Sequence, residues 1–252
     1  MPSLLAQGEP SAFTVLNENG KANVVLVCDH ASNRVPLQLQ TLGLTAEQMA
    51  SHIAWDIGAL WVATYLSKHL DAPLVFSNYS RLVVDCNRCP EREDLVPASS
   101  ANIAIPGNEN LSQADIQHRR TSLFDPYHQA IESIVQSRGG NTTLLLSIHS
   151  FTPILNSQDR PWPIGVCYEN DSDMAKRWRS ALQEQISELV GDNEPYAIEV
   201  GVDYTLPVHA ARYSIPAIML EIRQDQIANE VAAHSWGEII AKAYVNALSK
   251  KT

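Results

Sequence analysis

Three apolar, strand-like runs of this sequence lead to side chains that can bind a metal or transfer protons. They are residues 24–28 before His30, residues 144–148 before His149, and residues 217–223 around Glu221. In open α/β sheets, ligands bind at the carboxyl ends of the strands. Two imidazoles and a carboxylate brought to one edge of a sheet would suit a hydrolytic metal site.

Each of these side chains also has a structural alternative. Either histidine could satisfy the backbone of a turn, and Glu221 could belong to a buried ion pair with an arginine. A carboxylate within an apolar run is costly to bury alone, so Glu221 needs Arg223, another cation or a metal nearby. The residue types suggest a site, and they leave these alternatives open.

A second group of residues could bind an anionic substrate. Arg88 follows another strand-like segment, and its guanidinium could clamp a carboxylate, with Asn87 as an additional donor. Arg88 could equally brace an acidic neighbour such as Asp85. His209 precedes the run that carries Glu221, and it could orient a substrate or shuttle a proton.

Alternating strand and helix patterns must position these side chains. We predict an α/β fold, a three-layer sandwich with a mixed, mostly parallel central sheet and helices on both faces, formed by residues 1–252 as one domain. A polar loop over residues 85–110 is long enough to suggest that it covers a functional site. The predicted strands are 12–16, 23–28, 74–76, 81–84, 143–148, 164–168 and 217–222, and the predicted helices are 56–70, two that begin at 112 and 125, 172–190 and 228–249.

The composition argues against several classes of function. A formal net charge of −10 disfavours a nucleic-acid or anionic-membrane partner, which would need basic patches. No apolar stretch approaches the roughly 20 residues that span a bilayer, and the first residues lack a signal-peptide pattern, so we expect a cytoplasmic protein. Cys86 and Cys89 have no second pair to complete a four-thiolate zinc site, which favours ordinary reduced cysteines.

Several segments, taken in order, resemble the zinc carboxypeptidase group and, more narrowly, the N-formylglutamate amidohydrolase family. The resemblance implies a zinc hydrolase in which His30 and His149 bind the metal and Glu221 is the general base. It extends over most of the chain, from about residue 24 to residue 225. The wider resemblance rests on residues 84–88, 147–151 and 220–223, and the narrower one on residues 30–36, 80–88 and 126–128.

Four polar residues around the metal are expected to act on the substrate, two of them because of the same resemblance and two from the mechanism that we expect. Asn87 and Arg88 would clamp a substrate carboxylate, as the corresponding Asn-Arg pair does in carboxypeptidases. Arg81 or Arg223 could stabilise the negative charge that develops on the acyl oxygen.

The third metal ligand is the point at which this chain departs from the pattern. Carboxypeptidases carry a glutamate three residues after the first zinc histidine, whereas this chain has Asn33, whose amide oxygen is a poor zinc ligand. Asp56 is our preferred replacement, because the formylglutamate hydrolases carry a Trp-His pair where this chain has Trp55 and Asp56. Asp56 would also suit a helix N-cap, and His52 is a further candidate ligand.

We therefore expect a zinc-dependent amidohydrolase that cleaves a small anionic N-acyl amino acid such as N-formyl-L-glutamate. A carboxypeptidase or another N-acyl amino acid deacylase would keep the same site and change the substrate. A non-catalytic small-molecule binder on the same fold is the alternative suggested by Asn33. A serine or cysteine hydrolase is disfavoured because the sequence has no Gly-x-Ser-x-Gly elbow.

Overall fold

The computed structural model describes residues 3–142, 144–170 and 173–249 as alternating strands and helices. The strands are β1 Phe13–Leu16, β2 Val24–Cys28, β3 Leu74–Ser77, β4 Ser99–Ser100, β5 Ile103–Ala104, β6 Leu144–Phe151, β7 Ile154–Leu155, β8 Gln158–Asp159, β9 Ile164–Cys167, β10 Gly191–Asp192 and β11 Ala217–Arg223. The helices are α1 Ala46–Ala50, α2 Ala59–Leu70, α3 Gln113–Arg119, α4 Asp125–Ser137, α5 Asp173–Gln183, α6 Thr205–Tyr213 and α7 Glu230–Ser249.

A central sheet brings together the strands that carry the candidate residues. Its order in the described residues is β1-β3-β2-β6-β11-β9-β10. The strands β3, β2, β6 and β11 are parallel neighbours, whereas β1 and β9 run antiparallel to β3 and β11. Because β6 pairs with both β2 and β11, the carboxyl ends of these three strands meet at one edge of the sheet.

Two helical layers cover the sheet. The helices α2, α5 and α7 pack against one face, and α4 and α6 pack against the other. The strands β2 and β6 are buried along their whole length, which explains why both are continuous apolar runs up to their functional ends. The predicted α/β sandwich with a mixed, mostly parallel sheet is confirmed.

Two local predictions are wrong. Residues 81–84 form a turn instead of a strand, because Leu82 and Val84 are buried in a separate apolar cluster beside the sheet. The helix predicted from residue 56 begins at Ala59, with Gly58 as its N-cap. Gly58 has a φ of +82°, and a Cβ atom there would collide with the backbone of a neighbouring segment. Asp56 is therefore not the N-cap, and its side chain is available to the site.

The helices predicted from 112 and 125 are one continuous segment. A π-helical turn over Arg120–Phe124 joins α3 to α4. The capping box expected at the start is present, since Ser112 accepts a hydrogen bond from the backbone of Asp115 and Asp115 accepts one from Ser112.

The starts of the remaining elements agree with the sequence patterns, whereas two ends do not: the strand predicted to end at residue 148 continues to Phe151, and one helix is shorter than predicted. The predicted strand 143–148 is described from Leu144 and the predicted helix 172–190 from Asp173, because Thr143 and Ser172 lie outside the described residues. The helix ends at Gln183, several residues before its predicted end. Within the described parts of the chain, no helix combines the length and apolar character needed to cross a membrane.

Candidate metal centre and active site

Two histidines and one aspartate meet at the carboxyl edge of the sheet. His30 follows β2, His149 lies near the end of β6, and Asp56 lies in the turn before α2. The Oδ2 atom of Asp56 is 3.4 Å from Nδ1 of His30 and 2.8 Å from Nδ1 of His149. All three side chains are buried, and one ligand atom from each lies within 4.8 Å of the others. These residues form the candidate metal centre.

A carboxylate holds the second nitrogen of each histidine. Nε2 of His149 is 3.1 Å from Oδ2 of Asp29, and Nε2 of His30 is 2.7 Å from Oδ1 of Asp85. Nδ1 of each ring faces Asp56. When Nε2 carries the proton and donates it to the carboxylate, Nδ1 of a neutral ring has a free lone pair that can bind a metal. Histidines that bind metals in proteins are held by carboxylates in this manner.

The surrounding charges control the protonation of His149. Burial disfavours its charged form, but the hydrogen bonds to Asp29 and Asp56 outweigh burial and raise the pKa of His149 well above its usual value. Burial also opposes ionisation of Asp56, but His30 and His149 hold the pKa of Asp56 far below its usual value. A divalent cation at this site would replace the proton on Nδ1 of His149.

Glu221 lies beside His149, because the two residues are paired in the neighbouring parallel strands β11 and β6. Its side chain is buried, and its Oε2 atom has no hydrogen-bond partner. Burial raises the pKa of Glu221 to about 7, in opposition to the positive charge of His149. A buried carboxylate oxygen with no partner is costly, and it is available to a ligand or to water.

The donor atoms of the candidate metal centre fit a metal ion. Nδ1 of His30 is buried and has no hydrogen-bond partner. Two imidazole nitrogens and a carboxylate oxygen are a donor set found in catalytic zinc sites, which leave a further position open to water or substrate. The donor set, the unpartnered nitrogen and the two supporting carboxylates all fit a divalent cation such as zinc.

Asp56 and Asn33, the two candidates for the third ligand, lie in different surroundings. Asp56 lines the cavity beside the two histidines. The amide of Asn33 donates a hydrogen bond to the carbonyl oxygen of Met49 at 2.9 Å, and Asn33 does not line the cavity. The position of Asp56 therefore favours it as the third ligand.

The candidate metal centre opens into a cavity of about 730 Å³. Part of its wall comes from the loop over residues 85–110, which is the role that its length suggested. Arg81 is 2.8 Å from Oδ2 of Asp85 and 3.7 Å from Oδ1 of Asp56, so it braces both carboxylates from the cavity side. Arg88 also lines the cavity, 3.5 Å from Asp94 and 4.0 Å from Asp85.

The predicted clamp of Asn87 and Arg88 is only half available to a substrate. The Asn87 amide nitrogen donates to Oδ1 of Asp203 at 3.1 Å, and its oxygen accepts from the backbone of Tyr204 and Thr205. Asn87 therefore ties its loop to the start of α6. By contrast, Nε of Arg88 is buried and makes no hydrogen bond, but it lies 3.5 Å from Oδ2 of Asp94, so an anion would share Arg88 with Asp94.

Two predicted site residues, Arg223 and His209, do not line the cavity. Arg223 pairs with Asp225 and donates to the carbonyl oxygens of Arg160 and Pro161, so it does not form the alternative ion pair with Glu221. Nε2 of His209 is 3.0 Å from Nδ1 of His128. Their placement does not support the substrate and oxyanion roles expected from the sequence.

The His128–His209 pair belongs to the packed interior. The two rings stack with their centroids 5.3 Å apart. Burial lowers the pKa of His128 to about 3 and that of His209 to about 4, so both are neutral at neutral pH. A neutral, buried pair stabilises the contact between α4 and α6.

The role of Asp29 is not apparent from the sequence alone. Four side chains from three distant segments lie within hydrogen-bond distance of its carboxylate. Besides His149, they are Thr205 at 2.6 Å, Tyr127 at 2.8 Å and Ser147 at 3.1 Å. Burial would raise the pKa of Asp29, but the bonds from His149 and its other neighbours hold it well below its usual value. The sequence offered one signal, an acidic residue directly before His30.

We expect Asp29→Asn to lower zinc affinity about 10- to 100-fold, the usual effect of losing a carboxylate behind a ligating histidine. The hydroxyls of Tyr127 and Thr205 would keep the amide oxygen on their side, so the amide nitrogen would face Nε2 of His149. The ring would then favour a proton on Nδ1, where the metal must bind. Titration against a competing chelator measures the change.

The control for this prediction is Ser147→Ala, which removes one hydrogen bond to Asp29 and keeps the bond from His149. It should change zinc affinity much less. Equal affinities in the wild type and Asp29→Asn would show that Asp29 does not position His149.

The fold and the site together define an α/β protein with a candidate metal centre at the carboxyl edge of its sheet. The N-formylglutamate amidohydrolase family matches residues 22–228 of this chain. The chain belongs to this family, which confirms the resemblance found in the sequence, and it is a hydrolase that acts on amides. No curated protein matches the chain.

Solved structures share the fold of this chain. A gene product of Agrobacterium tumefaciens is 38% identical, with a TM-score of 0.93 and 98% of each chain covered. An N-formylglutamate amidohydrolase from Ralstonia eutropha is 15% identical, with a TM-score of 0.66 and coverage of 96% of this chain and 100% of the other. A bacteriophage poly-gamma-glutamate hydrolase is 10% identical, with a TM-score of 0.50 and coverage of 96% and 93%. The last two likenesses show the shared fold.

Proposed function

We propose that this protein is a zinc-dependent amidohydrolase that cleaves small N-acyl amino acids, with N-formyl-L-glutamate as the expected substrate. The observation that carries the proposal is the position of Glu221. Its unpartnered Oε2 lies in the same cavity as the His30, Asp56 and His149 cluster, in a chain of the N-formylglutamate amidohydrolase family.

The ligands of the metal would be His30, His149 and Asp56. When bound, zinc would supply Lewis-acid chemistry, polarising the acyl carbonyl and lowering the pKa of water to about 7. Asp29 and Asp85 hold the two imidazoles in the orientation that this requires.

Glu221 carries the proton between water and the leaving amine. It accepts a proton from water as the hydroxyl oxygen bonds to the acyl carbon, and it delivers that proton to nitrogen as the C–N bond breaks. For an N-formyl amino acid the products are formate and the free amino acid. Arg81, which lies between Asp56 and Asp85 at the cavity wall, is placed to stabilise the oxyanion.

Arg88 binds the substrate carboxylate. Its position on the cavity wall supports this role, as does its Nε, which makes no hydrogen bond and has only the ion pair with Asp94. Asn87 supports the same wall through its bonds to α6, in place of the direct contact expected from the sequence.

A release assay tests this function. Purified protein loaded with zinc or cobalt is incubated with N-formyl and N-acetyl amino acids, and the free amino acid is measured. We expect glutamate to be released from N-formyl-L-glutamate. Release only from other acyl amino acids would reject this substrate and support a different deacylase. Failure to bind any metal at any pH, with no release, would favour a non-catalytic binder.

A further inference from the structure

Two nitrogen atoms near the cavity have no hydrogen-bond partner, and the proposed mechanism gives neither of them a role. Nε2 of His52 and Nη1 of Arg160 are both buried and without a hydrogen-bond partner. His52 lines the cavity. Leaving a buried donor unpaired is costly, and more so for a charged group. Where such a donor lies beside a cavity, a bound ligand can supply the missing partner.

Arg160 lies against the cavity wall. Its guanidinium carbon is 4.8 Å from the centre of the Tyr196 ring and 5.8 Å from that of Phe151, and both rings line the cavity. Among the described residues, no carboxylate lies within ion-pair distance of Arg160, whereas Arg81 and Arg88 both have acidic neighbours. Arg160 thus supplies a positive charge that the protein itself does not neutralise.

His52 lines the cavity, and Arg160, which does not itself line it, packs on two rings of the cavity wall, near enough for its charge to act on His52. Burial lowers the pKa of His52, and the positive charges of Arg160 and Arg81 lower it further. His52 therefore offers a neutral ring beside two guanidinium groups. A neutral imidazole can donate one hydrogen bond, and the arginines attract an anion towards it.

Other parts of the cavity wall have the opposite charge. Asp94, Glu199 and Asp203 all line it. Asp94 offsets part of the charge of Arg88, whereas among the described residues no carboxylate lies within ion-pair distance of Arg160, so the charge of Arg160 is fully available to an anion. The region around His52 and Arg160 is therefore more positive than the region around Arg88.

We propose that His52 and Arg160 form a second anion subsite, which binds the side-chain carboxylate of an acidic N-acyl amino acid while Arg88 binds its α-carboxylate. This inference rests on the proposed function and specifies which residues select the substrate. It makes Arg160, which follows the β7–β8 hairpin, a specificity-determining residue.

Kinetics with two substrates test the subsite. For Arg160→Gln we expect KM for N-formyl-L-glutamate to rise about 10- to 100-fold, the effect of losing a charged hydrogen bond, with kcat changed much less. KM for N-formyl-L-glutamine, which lacks the side-chain carboxylate, should change little. His52→Phe should produce a smaller change with the same dependence on substrate. Arg160→Lys, which keeps the charge, should recover part of the loss.

Binding measurements separate this inference from the proposed function. Calorimetry of glutarate with the metal-free protein should show weaker binding for Arg160→Gln than for wild type. The control Arg212→Gln alters an exposed arginine paired with Glu132 and should bind as wild type does. Absence of any amide hydrolysis by wild type would reject the proposed function. The subsite itself is rejected if glutarate binds wild type and Arg160→Gln equally or binds neither, or if Arg160→Gln affects both substrates equally.

Discussion

Glu221→Gln is expected to lower kcat for the preferred N-acyl amino acid by about 10²- to 10⁴-fold, the usual contribution of a positioned general base. Glutamine has nearly the same shape as glutamate, so it should fill the same buried space beside His149. Its amide cannot accept the proton from water. The loss should therefore appear in kcat, while KM and zinc content change little.

The control for this prediction is another glutamate of the same cavity. Glu199 lines the cavity but is exposed, and its carboxylate has no assigned role in the site. Glu199→Gln should retain activity close to that of wild type. A kcat within tenfold of wild type for Glu221→Gln, at full zinc occupancy, would show that another group accepts the proton.

The sequence predicted the central part of the site because it follows from strand patterns. His30, His149 and Glu221 are each reached by a buried apolar run, and a parallel sheet places the carboxyl ends of such runs at one edge. The pairing of Glu221 with His149 in neighbouring strands is the structural result of this rule. The grouping needed only the residue types and the buried apolar runs, whereas the roles of the three residues came from the family resemblance.

The supporting residues could not be predicted in this way. Asp85 forms a hydrogen bond with His30 although it lies 55 residues further along the chain. It follows a turn for which the apolar sequence predicts a strand. Thr205 bonds to Asp29 across 176 residues. Arg160 lies just after a short hairpin, where no helical or strand period marks its position. Contacts between loops depend on how the whole chain packs, so a local pattern carries little information about them.

The helix boundary at Gly58 shows how a local error affects a functional interpretation. Helical spacing alone extends the pattern back to Asp56 and makes an N-cap a reasonable role for this aspartate. The left-handed conformation of Gly58 stops the helix there and leaves Asp56 in the turn, where its carboxylate reaches both histidines. A conformation that only glycine adopts readily thus decides which role Asp56 can have.

Asp56→Asn is expected to lower zinc affinity by more than about 100-fold, which exceeds the usual effect of altering a residue behind a ligand. An amide oxygen is a weaker zinc ligand than a carboxylate, and the substitution also removes a negative charge from the centre of the donor set. Hydrolysis should decrease with the zinc content, and excess zinc should restore part of it.

Asn33→Ala is the matched test of the other candidate ligand. Its side chain bonds to the carbonyl oxygen of Met49 and does not line the cavity, so its removal should leave zinc affinity within a few-fold of wild type. Competitive chelator titrations of both variants, with thermal unfolding to verify the fold, make the comparison. A large loss of affinity in Asn33→Ala with none in Asp56→Asn would reverse the assignment. Because Asp56 lies between the two Nδ1 atoms and Asn33 bonds to the backbone, the geometry favours Asp56.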